Sequence, residues 1–254
     1  MDLVFNELED FLNFKYQQYN QPSFIDSDPI QIPHRFSKKE DIEIAAFLTS
    51  SIAWGNRKII IRNAGEMMKL MEWSPFDFIM NAKKKEMDKV LNFKHRTFNG
   101  EDFRFFLKSL RNIYQKYGGL QKVFENHNDN IKTTLAGFRK IFFDIEMHHH
   151  TEKHIANVDK NSAAKRLNMF LMWMVRNDGR GVHFGLWKNI ESKYLKLPLD
   201  VHTANVGRKL GLLVRKQNDW LAVEEITENL SRFDPLDPVK YDFALFGLGV
   251  FEKF

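Results

Sequence analysis

The sequence predicts an all-α protein, and three observations carry that reading. Apolar residues recur at three- and four-residue spacing in one segment after another. No stretch shows the sustained two-residue alternation of a half-buried strand. No proline stands between Pro75 and Pro198, so the middle of the chain is free of the residue that most strongly stops helices. With 254 residues, the chain is long enough to bury roughly 70–75% of its unfolded surface. The expected architecture is a single helical unit over residues 1–254, or two helical lobes around a cleft.

Residues 1–19 place Leu3, Phe5, Leu8, Phe11, Leu12 and Tyr16 on one helical face. Residues 20–36 carry Pro22, Pro29 and Pro33 and read as an irregular strap. Ser37 followed by Glu40 is a capping-box pattern opening a largely apolar helix that ends near Gly55. Asn56, Arg57 and Lys58 start the next helix, which Pro75 stops. One further helix is expected over about 76–91, then a turn over 94–103, then a strongly amphipathic helix ending at Gly118-Gly119. A helix over 120–126, the polar turn HNDN and the helical run IKTTLAGFRKIFFDIE follow. HHHTEKHIANVDKN reads as irregular. Ser162 is the expected cap of a helix over 162–176 whose apolar face is Leu167, Phe170, Leu171, Met174 and Val175. NDGRGVH is a glycine loop, and FGLWKNIESKYLK reads as a short helix. KLPLDVHTANVGRKLGLL then places Asp200 where a helix begins, and helices over 220–233 and 239–251 end the chain.

Composition narrows the chemistry. There is no cysteine among the 254 residues, which excludes disulfides, thiolate metal sites and cysteine nucleophiles and fits a cytoplasmic protein. The N-terminus MDLVFNELEDF is acidic and amphipathic, unlike a signal peptide. No apolar run approaches the ~20 residues of a membrane span. The net charge is +5, unevenly spread. Residues 151–216 hold 13 Lys/Arg against 5 Asp/Glu, a net charge of +8. A basic block in an otherwise near-neutral chain points to a polyanion, nucleic acid first. A solvated basic face is the competing explanation. The 24 phenylalanines are expected in the core.

Lys165 and Asp200 are the candidate reactive pair. Lys165 falls in the first turn of its helix, where the positive end of the macrodipole and the adjacent Arg166 both disfavour a charged ammonium. A neutral lysine amine is a nucleophile. Asp200, between an apolar wall and a helix N-terminus, is a candidate catalytic carboxylate and also an ordinary N-cap. His150 and His154, four residues apart, could share a metal on a helix, with Glu152 nearby. No distant third ligand is visible, so the sequence gives neither a metal site nor a cofactor. Trp54, Trp73, Trp173, Trp187 and Trp220 mostly lie on apolar faces. Trp54 stands apart, at a helix end just before Asn56 and Arg57.

The order of these elements resembles the helix-hairpin-helix DNA glycosylase superfamily. There a lysine following a hairpin precedes an aspartate in a PxDxHxxR-like motif. Here that motif reads Pro198-Leu199-Asp200-Val201-His202-Thr203, with Arg208 further on. The nearest likeness is to the archaeal 8-oxoguanine glycosylase branch, which also has a long lysine-to-aspartate spacing. The resemblance implies a helix-hairpin-helix glycosylase-like fold, with Lys165 and Asp200 catalytic. It also implies a base pocket of Trp54, Asn56, Asp242 and Phe246. DNA contacts would come from Lys160, Asn161, Ser162, Arg166, His202 and Arg208. The implied activity is excision of an oxidised purine such as 8-oxoguanine from damaged duplex DNA, with AP-lyase cleavage through a lysine Schiff base. No cofactor is implied, and the protein is expected to be monomeric. The alternative is a nucleic-acid-binding protein that does not react. One departure is the turn Ala156–Asn161, which has no glycine where the superfamily has Leu-Pro-Gly-Val-Gly. The whole chain also resembles a bacterial family of unassigned activity, through KRLNMFLMWMVR, PLDVHT and DPVKYDFALFGLG.

Overall fold

The structure, a computed structural model, describes residues 2–125, 130–145 and 149–254, with the backbone alone for residues 2–5. The side chains expected at Leu3 and Phe5, residues 127–129 of the HNDN turn, and His148 lie outside the described residues. The chain is predominantly helical. Its elements in order are α1 (Asp2–Tyr19), α2 (Phe24–Ser27), α3 (Lys39–Ser51), α4 (Arg57–Leu70), α5 (Pro75–Asn81), α6 (Lys84–Lys89), β1 (Lys94–His95), β2 (Phe98–Asn99), α7 (Gly100–Lys116), α8 (Leu120–Glu125), α9 (Ile131–Phe142), α10 (Lys165–Val175), α11 (Val201–Lys209), α12 (Trp220–Ser231) and α13 (Asp242–Val250). Contacts divide the chain into two compact units, residues 1–24 with 157–254 and residues 25–156.

Phenylalanine fills the core of the unit 25–156. Phe47 of α3 meets Phe106, Phe138 and Phe142, and Phe124 stacks on Phe138 with centroids 4.5 Å apart. Every residue from Ile42 to Ser51 is buried, so beyond its first turn α3 is a central helix with no solvent face. The buried Glu43 accepts from the Tyr114 hydroxyl at 2.7 Å and pairs with Lys39 at 2.6 Å. Four expectations change here. Lys38, not Ser37, occupies the N-cap of α3, and no side chain caps it. Pro75 does not merely stop α4; it is the first residue of α5. The helix expected over 76–91 breaks after Asn81, where the Arg111 guanidinium takes the carbonyls of Ile79 and, at 2.9 Å, Ala82. Those acceptors are satisfied from α7 instead of by a continuing helix. The turn over 94–103 contains a two-residue antiparallel hairpin, Lys94 opposite Asn99 and His95 opposite Phe98.

In the other unit, α1 and α11 both pack on α13. Its core gathers Leu12, Leu197, Leu199, Val206, Val223, Ile226, Leu230, Tyr241, Leu245 and Leu248. A buried arginine ties its parts together. Arg176 is 1% exposed. Its guanidinium contacts Asp237 at 2.8 Å, Asp178 at 2.9 Å, the Tyr16 hydroxyl at 3.0 Å and His183 Nδ1 at 3.2 Å. Burial alone would raise the Asp178 carboxyl, but Arg176 and hydrogen bonds from the Arg180 amide, Asn20 and Tyr16 hold it at about 2.

Two elements of this unit also differ from expectation. FGLWKNIESKYLK is not a helix; only a 3-10 turn, Ser192–Tyr194, forms there. The amides of Phe184 and Trp187 donate to the carbonyls of Trp173 and Met174 at the end of α10. Trp187 is fully buried, edge-on to Phe170. Long-range pairing and burial thus override local helix preference. Ser162 does not cap α10, which starts three residues later behind Ala164, a left-handed residue at φ 48°. The Ser162 backbone bridges to Asp219 instead.

Gly247 of α13 sits where a Cβ would fall inside the Tyr19 ring of α1. Gly137 of α9 has nothing within 4 Å of the same position. Gly247→Ala should therefore destabilise by about 1–3 kcal/mol through overpacking, whereas Gly137→Ala should stabilise by about 0.5–1 kcal/mol. Denaturant unfolding of the two variants checks the contrast; equal effects would contradict the packing described.

Candidate functional site

Two clusters of chemistry-bearing side chains stand out, one in each unit. In the unit of residues 1–24 and 157–254, the first is built on the turn before α10. Asn157 accepts from the amides of Asp159 and Lys160 and caps a 3-10 turn, Val158–Lys160. Asn161 follows in the left-handed conformation at φ 61°, which Asn adopts at modest cost. Its amide nitrogen donates to Asp219 at 2.8 Å, and its carbonyl accepts from Trp220 N at 3.1 Å. The turn is thereby fixed to the start of α12. The Ser162 hydroxyl accepts from Ala164 N at 3.3 Å.

Lys165 lies in the first turn of α10 as expected, but as its first residue, because the helix starts after Ala164 instead of Ser162. The N-cap is Ala164, which has no side-chain acceptor, so no side chain caps this helix. The half-buried Lys165 amine lies 3.4 Å from the Met169 sulfur. Arg166 beside it is lowered to about 10 by desolvation. Asp200 caps α11 as expected: one carboxylate oxygen, Oδ1, accepts from His202 N at 2.9 Å and Thr203 N at 3.0 Å. The carboxylate is half-buried and its direction is fixed by both amides. Lys165 and Asp200 share this unit but make no direct ion pair.

The remaining expected contacts divide. Lys160 and His202 are exposed. Arg208 is not a free cation: it donates to the carbonyls of Arg215 and Lys216 and to Asn218, bracing the loop after α11. Asp242 is the first residue of α13, and Phe246 packs edge-on against Phe24 and Phe251. Trp54 and Asn56 belong to the other unit. There Asn56 caps α4 through Ile59 N at 3.3 Å. Trp54 lies edge-on to His95 and roughly parallel to His154.

The second cluster surrounds that tryptophan. His95 is buried and contacts Asn63 at 3.0 Å. Asp102, in the first turn of α7, forms a capping box with Asn99. Its carboxylate also receives Thr151 Oγ1 at 2.8 Å and lies 2.9 Å from His150 Nδ1 and 3.2 Å from His154 Nε2. Burial would raise this carboxyl, but the contacts from His154, Asn99, His150 and Thr151 hold it well below the usual range. The histidine segment therefore has a distant partner that the sequence does not show, and Thr151 and His154 within it are buried. The distant partner missed in the sequence is Asp102. Its only local signal is the N-x-x-D capping pattern at Asn99–Asp102.

These features define a predominantly helical protein of two compact units, each with its own polar cluster. The chain belongs to a family described as "Protein of unknown function (DUF2400)", whose model matches residues 28–251. Neither the curated proteins nor the solved structures yield a match. Membership in this family corrects the likeness to helix-hairpin-helix DNA glycosylases: the match spans most of the chain and no glycosylase family shares it. Among the described residues, no helix is long and apolar enough to cross a membrane.

Asp200→Asn should keep the cap, because an amide oxygen accepts the same two hydrogen bonds. Asp200→Ala should cost about 0.5–2 kcal/mol. Thermal melts of both variants check this, and equal destabilisation would mean that charge, not capping, is what Asp200 contributes.

Proposed function

We propose that the unit of residues 1–24 and 157–254 binds DNA and excises a damaged base, with Lys165 as amine nucleophile and Asp200 as the stabilising carboxylate. The observation that carries this reading is Lys165 itself: a half-buried amine at the uncapped start of α10, held beside a thioether rather than a carboxylate. A helix N-terminus without a side-chain acceptor favours an anion such as a backbone phosphate. An amine beside it is placed to attack C1′ of a nucleotide drawn out of the stack.

The glycosidic C–N bond breaks and the base leaves with a proton. The Lys165 nitrogen bonds to C1′ and gives up a proton to the departing base, and an iminium then forms as the C1′–O4′ bond breaks and O4′ takes a proton from solvent. Loss of a C2′ proton then expels the 3′ phosphate. Asp200, with Oδ1 engaged by two amides, offers its carboxylate charge to the oxocarbenium-like sugar. Lys160 and His202 are exposed and supply polar contacts to the strand, giving salt-dependent affinity. The first substrate to try is an oxidised purine such as 8-oxoguanine. The second reading, DNA or RNA binding without reaction, is favoured by the absence of an ion pair between Lys165 and Asp200 and by the internal engagement of Arg208.

Borohydride treatment with a panel of single-lesion and abasic oligonucleotides distinguishes the two. The catalytic reading expects a covalent complex with wild type. It expects loss of that complex in Lys165→Ala, and at least a hundredfold slower base release in Asp200→Asn at unchanged stability. Salt-sensitive binding with no complex on any substrate would establish the binding reading instead.

A further inference from the structure

We propose that Asp102, His150 and His154 form a binding site for a divalent transition ion, Zn2+ being the probe of choice. Asp102 comes from the start of α7, and the histidines come from a 3-10 segment, His149–His154, some fifty residues later in the chain. One ligand atom from each lies within 4.8 Å of the other two. His150 Nδ1 lies 2.9 Å from one carboxylate oxygen of Asp102, Oδ1, and His154 Nε2 lies 3.2 Å from the other, Oδ2, so both imidazoles face the same carboxylate at about the spacing of ligand atoms around an ion with bonds of about 2.0–2.1 Å. Two imidazoles and a carboxylate make a borderline donor set suited to Zn2+ and its neighbours, not to Ca2+ or Mg2+.

The second observation concerns His154. Its ring is 4% exposed, held between Trp54 and Phe98. Its Nε2 points into the cluster, and its 3.2 Å contact with Asp102 Oδ2 is an electrostatic one too poorly aligned to satisfy the atom as a full hydrogen bond. A buried polar atom in that position costs free energy unless something satisfies it, and an ion bound among the three residues does so. The supports of a metal ligand are also present. Thr151 Oγ1 donates to one carboxylate oxygen and Asn99 N to the other, each leaving lone pairs free on Asp102.

His150 Nε2 is 2.8 Å from the Lys153 amine. When that amine is an ammonium it donates to Nε2, which places the imidazole proton on Nδ1 towards Asp102. Binding an ion through Nδ1 moves that proton to Nε2 and releases Lys153 to solvent. No net proton is lost at His150 in this exchange. His150 is half exposed while Asp102 and His154 are buried, so the coordination position left for water opens on the His150 side. Three protein ligands with one open position are the arrangement of zinc sites that activate water.

The test uses untagged full-length protein stripped with a chelator and dialysed. Titration with Zn2+ should give one ion per chain and raise the melting temperature. Co2+ should give the intense visible bands of a four-coordinate site. His150→Ala, at the exposed ligand, should weaken binding at least a hundredfold without loss of fold, and His154→Gln and Asp102→Asn should do the same. His149→Ala should leave binding unchanged, because His149 faces Glu152 instead. Circular dichroism of each variant separates lost binding from lost fold. No stoichiometric binding, six-coordinate Co2+ spectra, or binding that survives His150→Ala in folded protein would overturn the proposal, the last by assigning the ion to exposed histidines.

Discussion

A buried guanidinium is tolerated only when its charge and donors are met, and Arg176 imposes that condition on one whole unit. Removing either side leaves an uncompensated charge, at a cost of about 3–5 kcal/mol. Its partners come from α1, from the loop after α10 and from the approach to α13: Tyr16, Asp178, His183 and Asp237. Chain segments far apart in sequence thus share one buried charge. The unit can contain both ends of the chain because α1 returns to α13, where Gly247 allows close contact with Tyr19. The turn carrying Lys165 and the cap carrying Asp200 are built inside that frame.

The other unit is organised by the opposite charge. Asp102 is 1% exposed on its side chain and collects a backbone amide, a hydroxyl and two imidazoles. Its capping box fixes the start of α7, and its remaining contacts fix the segment His149–His154 against that start. One carboxylate therefore serves helix initiation and long-range docking together. The same economy holds at Asp200, whose cap geometry orients a charge that the proposed chemistry requires. A capping role and a chemical role are compatible, because an N-cap is among the few positions where backbone hydrogen bonds hold a carboxylate in one direction.

Much of the helical order was legible in the sequence. Period and caps place α1, α4, α7 and α12 closely, and Asp200 and Lys165 stand at the helix starts where they are expected. What was not legible depends on distant partners. Ser162 looks like a cap until its backbone pairs with Asp219, 57 residues away. Residues 184–196 read as a helix because nothing local reveals that the carbonyls of Trp173 and Met174 take the amides of Phe184 and Trp187. His150 and His154 looked partnerless because Asp102 reaches them across 48 residues and more. Arg208 looked available to phosphate because its acceptors are mostly main-chain carbonyls, which carry no sequence signature, together with the Asn218 side chain. Family resemblance misled for a related reason: a lysine, a proline and an aspartate in order are compatible with many helical chains, and the family model spanning residues 28–251 is the more specific match.

The central claim is that the Lys165 amine is the atom that meets the sugar. Proteolysis and mass spectrometry of the borohydride-reduced complex with abasic DNA locate that bond directly. The deoxyribose remnant is expected on the peptide containing Lys165. A remnant on another lysine or on the N-terminal amine would contradict it.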